Sequence, residues 1–227
     1  MSGNTDVYNK SISILTMYAT FLMGFIDAYT YLKYDGVFVS AQTGNVIVMS
    51  VKLFSEEWLE ATSHIIVFVG FALGAFIGEG IIEKVKSPSF KLLRVFLVIQ
   101  GILLFTLSLF QIHIPSALMI IALGTLSGYE LSIFRRIGIT TINNGVMTGN
   151  TKNMMQNLYK RLFDRDREAG RHFFNLLSGL VIFIAGVVAG SQVMHWHSHM
   201  VLWIAFILNS ILMAWLYAIK RQVRLAQ

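Results

Sequence analysis

A polar triplet, Thr-Gly-Asn, occurs twice in this otherwise apolar chain, and its chemistry suits solute binding. The two copies comprise Thr43, Gly44 and Asn45, and Thr148, Gly149 and Asn150. Each copy precedes a segment that can begin a helix, and the N–H groups at a helix N-terminus offer donors and partial positive charge. Thr and Asn oxygens can also cap such an end, and Gly permits an unusual backbone angle there. We therefore predict that these six residues bind a substrate.

Two carboxylates lie inside apolar runs, where an ionised side chain is costly. Asp27 lies in the first run and Glu130 in the fourth; at the bilayer centre an acidic side chain costs about 2.5–3.5 kcal/mol. Each must therefore face a partner or a wet cavity, or carry a proton, and we predict that both couple an ion to solute movement. The alternatives are that Asp27 caps a neighbouring helix end, and that Glu130 pairs with Arg135 or Arg136.

Other polar groups near these candidates have simpler interpretations. Thr16, Thr20 and Thr30 share a helical face with Asp27, which predicts a polar lining. Glu79, close to Glu83 and Lys84 at a helix end, is interpreted as interfacial.

Three histidines between His195 and His199 alternate along the chain in an expected outer loop. This spacing differs from that of helical zinc pairs, and no carboxylate is near in sequence. We interpret the segment as an interfacial loop anchored by Trp196, with no metal.

The elements that must position these residues are membrane helices. The 227-residue chain is 55% hydrophobic and only 13% charged, with mean hydropathy +0.63, whereas soluble domains carry about 25% charged residues. There is no cysteine, which excludes disulfides and thiolate sites. No nucleotide-binding, serine-hydrolase or metalloprotease motif is present, so we predict no cofactor and no enzymatic activity. The net charge of +6 is attributed to cytoplasmic loops rather than to nucleic-acid binding.

Six apolar segments are long enough to cross a bilayer, which needs about 20 residues. They are Ser11–Leu32, His64–Ile82, Leu93–Ile112, Ser116–Phe134, Phe173–Met194 and Met200–Ile219. The predicted fold class is therefore all-α, a polytopic membrane helix bundle, in which the two triplets interrupt the connections after the first and fourth spans.

Lys and Arg residues predict the orientation, because they concentrate on the cytoplasmic side. They are abundant in the 83–94 and 135–172 connections and in the C-terminal tail, and absent from the 113–115 and 195–199 loops. We expect both termini to be cytoplasmic. The basic residues of the 83–94 connection and of the C-terminal tail are Lys84, Lys86, Lys91, Arg94, Lys220, Arg221 and Arg224.

The chain contains an internal duplication. Residues 24–45 and 128–150 each comprise a helix end, a short connection and the triplet, and they differ in length by one residue. The glycines of the next span also repeat: Gly74 and Gly78 match Gly186 and Gly190.

The duplication predicts one membrane domain, 1–227, with repeats at about 11–112 and 116–219. Three spans in each repeat would give the copies opposite orientations, and inverted repeats with interrupted helices are typical of secondary transporters. Two interpretations of the triplets stay open: tips of re-entrant half-helices, or N-caps of interfacial amphipathic helices.

The residues Gly24, Asp27 and Ala28, followed by Thr43-Gly44-Asn45, resemble the YoaK-type family of bacterial multi-pass membrane proteins, a family of unknown function. The resemblance covers nearly the whole chain. The family's second half looks like Gly-x-Gln-Asn followed by Thr-Gly, and here Glu130 and Leu131 stand at the Gln-Asn pair. The resemblance implies a location in the bacterial cytoplasmic membrane.

These observations favour a secondary transporter or exporter of a small solute, proton- or cation-coupled. The alternative is a membrane scaffold or assembly factor that docks a partner through the basic 135–172 connection. The expected partners are the lipid bilayer and an unidentified solute, with no nucleic acid. The oligomeric state stays open, and a homo-oligomer is among the alternatives.

Overall fold

The architecture is a bundle of helices, seen in a computed structural model that describes residues 2–85 and 90–225, with side chains described for 6–85 and 90–220. The helices are α1 (Ser2–Lys33), α2 (Gln42–Phe54), α3 (Trp58–Val85), α4 (Phe90–Phe110), α5 (Ser116–Ile133), α6 (Met147–Phe163), α7 (Arg167–His197) and α8 (Met200–Leu225). A two-stranded antiparallel hairpin, β1 (Arg136–Ile137) with β2 (Thr140–Thr141), lies between α5 and α6.

Six of these helices are long and apolar enough to cross a membrane: α1, α3, α4, α5, α7 and α8. The predicted polytopic bundle is therefore confirmed, and the triplets lie in the two shorter helices, α2 and α6. Lys86 lies outside the described residues, as do the side chains of Arg221 and Arg224.

Helix α7 is longer than its apolar run. It begins at Arg167 because the Asp166 side chain accepts hydrogen bonds from the N–H groups of Glu168 and Ala169, which caps the helix. It continues through His197, so the prediction of a loop over His195–His199 was wrong for its first three residues. The described residues contain no group of three His, Cys, Asp or Glu side chains that could hold a metal ion.

Two helix pairs pack through glycines, α1 against α7 and α3 against α5. A Cβ added at Gly24 would lie 2.3 Å from the carbonyl oxygen of Phe183, and one added at Gly128 would lie 2.0 Å from that of Phe71. No real Cβ atom fits at such distances. Glycine is therefore required at both crossings, where the helix backbones touch.

The contacts described for one pair have counterparts in the other. The Thr125 carbonyl faces Gly74, just as the Phe21 carbonyl faces Gly186. Further along, Ser132 faces Gly78, and Ala28 faces Gly190. In each pair, the contact at the higher residue number on one helix is also at the higher residue number on the other. The two helices of each pair therefore run parallel.

Helices α4 and α8 pack in the opposite sense. The Gln111 amide donates to the His199 carbonyl at one end, and the Arg94 guanidinium stacks on Tyr217 at the other. Between these contacts, the Asn209 amide donates to the Leu97 carbonyl at 3.0 Å. The pair is therefore antiparallel, as the predicted alternation of the six spans requires.

Candidate functional site

Two non-helical segments meet in the interior: residues 37–41, which we call the first crossing segment, and residues 142–146, the second. The Ser40 hydroxyl lies 3.2 Å from the Gly145 carbonyl oxygen. Gly145 has φ of +73°, and a Cβ there would lie 2.3 Å from the side chain of Ser40. Both the backbone angle and the close approach therefore require glycine at this point.

Asp27 holds the first crossing segment. One carboxylate oxygen accepts the N–H groups of Val39, at 2.7 Å, and Ser40, at 3.0 Å. The other oxygen accepts the Ser40 hydroxyl. The Asp27 residue is only 4% exposed, so these three donors replace the water that its carboxylate gives up. The alternative that Asp27 caps a neighbouring helix end was wrong, since its partners belong to a loop.

Neutral side chains hold the second crossing segment. Asn144 donates to the carbonyl of Phe134 and lies 2.8 Å from the hydroxyl of Thr20. In addition, the Thr16 hydroxyl accepts the N–H of Arg136 at 3.3 Å. The polar side chains on this face of α1 therefore hold both connections in place through hydrogen bonds. The prediction that this face lines a polar cavity was correct only for Asp27.

Asn45 and Asn150 perform the same task in the two halves. Asn45 accepts the N–H of Phe38 at 3.1 Å and donates to its carbonyl; Asn150 does the same with Asn143, again seven positions earlier. Each amide therefore ties a helix back to the crossing segment before it. The predicted capping role was wrong: the N-cap residues are Ala41 and Val146, which make no side-chain cap hydrogen bond. An amide suits this task because its oxygen accepts and its separate nitrogen donates, so one side chain can bind the N–H and the carbonyl of the same residue.

Replacing Asn150 by aspartate should destabilise the protein by about 1–3 kcal/mol, because a carboxylate cannot donate to the Asn143 carbonyl and leaves it unsatisfied. The thermal unfolding temperature of the purified protein measures this loss. Asn153→Asp on the exposed side of α6 is the matched control and should have little effect. Equal losses in the two variants would contradict the assigned role of Asn150.

A cavity of about 570 Å³ lies between α1, α7 and the two crossing segments. Its lining includes Asp27, Tyr31, Phe38, Gly145, Thr148 and Ser191. The walls are largely aromatic and aliphatic, with a few polar groups, which is the usual composition of a small-molecule site. Thr148 contributes from the first turn of α6, where the first N–H groups have no partner within the helix.

Of the predicted site residues, Asp27 and Thr148 line this cavity. The other triplet residues are not among its lining residues: Thr43, Gly44, Asn45, Gly149 and Asn150. Sequence reasoning missed Phe38, Gly145 and Ser191. Gly145 could have been predicted as a site residue, because it aligns with Ser40 when the sequences of the two triplets are aligned. The sequence around Ser191 contains no pattern that indicates a site residue.

The corresponding place between α3 and α5 holds an ion pair. Under the predicted duplication, Tyr31 and Ser191 at the cavity correspond to Arg135 and Glu79, and the Arg135 and Glu79 side chains form an ion pair at 3.2 Å. Beside it, the Ser132 hydroxyl lies 3.2 Å from the Ala75 carbonyl. At this place, therefore, one half of the chain has a cavity and the other has a half-exposed ion pair.

Glu130 lies away from this cavity, in the interior. It is fully buried, and neither carboxylate oxygen has a hydrogen-bond partner among the described residues. The alternative that it pairs with Arg135 or Arg136 was wrong, because Arg135 pairs with Glu79 and Arg136 donates to the Gly138 carbonyl. Under the correspondence of glycines, Asp27 matches Leu131, so Glu130 is not its counterpart in the second half.

Comparisons with known proteins agree with this architecture. A family model described as "Protein of unknown function (DUF1275)" matches residues 15–215. The chain is 20% identical over 206 residues to the UPF0700 transmembrane protein YoaK of Bacillus subtilis (strain 168), which covers 88% of this chain and 90% of that protein. No solved structure matches. The family match includes both triplets and both carboxylates and confirms the predicted resemblance. The chain is thus a multi-pass membrane protein that belongs to the DUF1275 family.

Proposed function

We propose that this protein is a secondary transporter whose substrate site is the cavity between the two crossing segments. The observation that carries the proposal is that both halves of the chain contribute to one cavity beside a buried carboxylate. Small solutes fit its volume, since ligand pockets typically range over about 300–1,000 Å³. No catalytic role is proposed.

The proposal includes inverted repeats at about 11–112 and 116–219. Its support is the matching glycine contacts of the two parallel pairs and the antiparallel packing of α4 and α8. A two-fold axis in the membrane plane would relate the halves and pass near the contact of Ser40 with Gly145. Binding sites at the interface of such repeats allow alternating access by rocking.

The distribution of Lys and Arg supports an orientation with both termini cytoplasmic, in a bacterial cytoplasmic membrane. The cavity would then open outward, since Tyr31 and Leu32 at its rim follow Asp27 toward the outer end of α1 and are 51% and 55% exposed. The Glu79–Arg135 pair would close the cytoplasmic side. Exposed ion pairs contribute about 0–1 kcal/mol, which is small enough for such a gate to open.

Cysteine labelling tests alternating access, because the chain has no cysteine of its own. Thr148→Cys should react with a membrane-impermeant thiol reagent from the outside. In the double variant that also carries Glu79→Gln, the cysteine at position 148 should react several-fold faster with reagent added from the cytoplasmic side. The reason is that the Glu79–Arg135 pair, which would close that side, is broken. Gly149→Cys, adjacent but outside the cavity lining, serves as the control for local reactivity.

The same labelling identifies solutes and separates the alternatives. Amino acids, sugars, nucleosides and organic ions are screened for protection of the Thr148→Cys variant but not of the Gly149→Cys variant, and each protecting solute is then tested for uptake into liposomes. A scaffold that docks partners through residues 135–172 would show one-sided labelling with or without Glu79→Gln, and that result would contradict the transporter proposal.

A further inference from the structure

A second group of polar side chains is buried between α1, α4 and α5. Glu130 lies beside Gln100 of α4, although the two side chains do not meet ordinary hydrogen-bond geometry, and it lies near Tyr18 of α1. The Gln100 amide nitrogen donates to the Tyr18 hydroxyl at 3.4 Å. Ser127, one helical turn before Glu130, is also fully buried. Helices of both halves therefore contribute to this cluster, away from the cavity lining.

The unusual feature of the cluster is its unsatisfied oxygens. Both carboxylate oxygens of Glu130, the amide oxygen of Gln100 and the hydroxyl oxygen of Ser127 have no hydrogen-bond partner among the described residues. Buried polar atoms in native proteins are almost always satisfied, so the grouping of four such oxygens on Glu130, Gln100 and Ser127 points to a ligand that they share. All four are oxygens that can donate an electron pair, which is the preference of a hard cation.

The surrounding charges select the type of cation. The titratable groups that face Glu130 are the phenols of Tyr18, from α1, and Tyr129, next to it in α5. Helix α4 contributes the neutral Gln100. From α3, Glu79 is engaged at the surface by Arg135. The Glu130 carboxylate therefore has no counter-charge among the described residues. A monovalent cation would neutralise it, whereas a divalent cation would leave one uncompensated positive charge in the interior.

We infer that Glu130, Gln100 and Ser127 bind one sodium ion, with the Tyr18 hydroxyl as an additional oxygen. The ion would compensate the carboxylate and satisfy the free oxygens together. A proton on Glu130 would satisfy fewer of them, since an acid has one hydrogen to donate. The role of this ion as the coupling ion rests on the proposed transport function, but its binding does not.

Sodium binding is measured on the purified full-length protein in detergent, without any solute. Radioactive sodium should bind at one ion per chain. The unfolding temperature should rise by several degrees when choline chloride is replaced by sodium chloride at constant ionic strength, because a ligand of the folded state stabilises it. Glu130→Gln should abolish both effects, and Gln100→Leu should weaken binding about tenfold or more.

Two controls keep the result interpretable. Glu83→Gln removes an exposed carboxylate from α3 and should leave sodium binding unchanged. Glu130→Gln should unfold, without sodium, at the same or a higher temperature than wild type, which shows that it folds. Sodium-independent unfolding of the wild type, or stabilisation by acid in place of sodium, would overturn the inference while leaving the labelling test of transport unaffected.

Discussion

Gly74→Ala is expected to destabilise the protein by about 1–3 kcal/mol or more, the usual cost of forcing extra volume into a packed interior. The added Cβ would lie 1.9 Å from the carbonyl oxygen of Thr125. The obstacle is backbone, so no side-chain rotation can relieve it and the helices α3 and α5 must separate. The free energy of unfolding in mixed micelles measures the loss.

The same helix supplies a matched control for this substitution. Gly80 has nothing within 4 Å of an added Cβ, so Gly80→Ala should be neutral or stabilising by about 0.5–1 kcal/mol through better helix propensity. Gly186→Ala tests the duplication, because its Cβ would meet the Phe21 carbonyl at 2.1 Å and should cost about as much as Gly74→Ala. Similar stability of Gly74→Ala and Gly80→Ala would contradict the assigned packing.

Asp27→Ala is expected to destabilise the protein by roughly 3 kcal/mol or more, because the buried N–H groups of Val39 and Ser40 lose their acceptor. Asp27→Asn should cost less, since its amide oxygen can still accept both N–H groups. Its amide nitrogen could donate to the Ser40 hydroxyl, which would then be free to donate to Gly145. Thermal unfolding of the two variants measures this gradation, with Asp164→Ala on the surface as control.

The asparagine variant also tests the prediction that Asp27 couples an ion. A coupling role requires a charge, so Asp27→Asn should then abolish ion-driven uptake of any solute that protects the Thr148→Cys variant from labelling, although the protein folds. Wild-type uptake with unchanged pH dependence would restrict Asp27 to positioning the first crossing segment. Equal stability of the alanine and asparagine variants would contradict the hydrogen-bonding role.

The sequence correctly predicted features that depend on local composition. Hydropathy located all six spanning helices, because a bilayer imposes the same length and apolarity wherever a helix lies. The duplication stays a prediction, and the glycines on which it rests, at 74, 78, 186 and 190, lie where two helices touch. The start of α7 was missed, although Asp166 followed by Glu168 is a local signal for capping.

The candidate site was predicted less well, and the reason is physical. An asparagine that caps a helix and one that ties back a crossing segment look alike in sequence, so the role of Asn45 depended on where residue 38 lies. The cavity and the Glu79–Arg135 ion pair also depend on contacts between residues that are distant in sequence.

The sequence by itself determined that this chain has six helices long and apolar enough to cross a membrane, because burial in lipid constrains each segment separately. Only the tertiary structure decided that Asp27 meets Thr148 at a cavity while Glu130 meets Gln100 elsewhere. Those side chains come from different helices, and the approach of helix backbones at glycine determines which of them face one another.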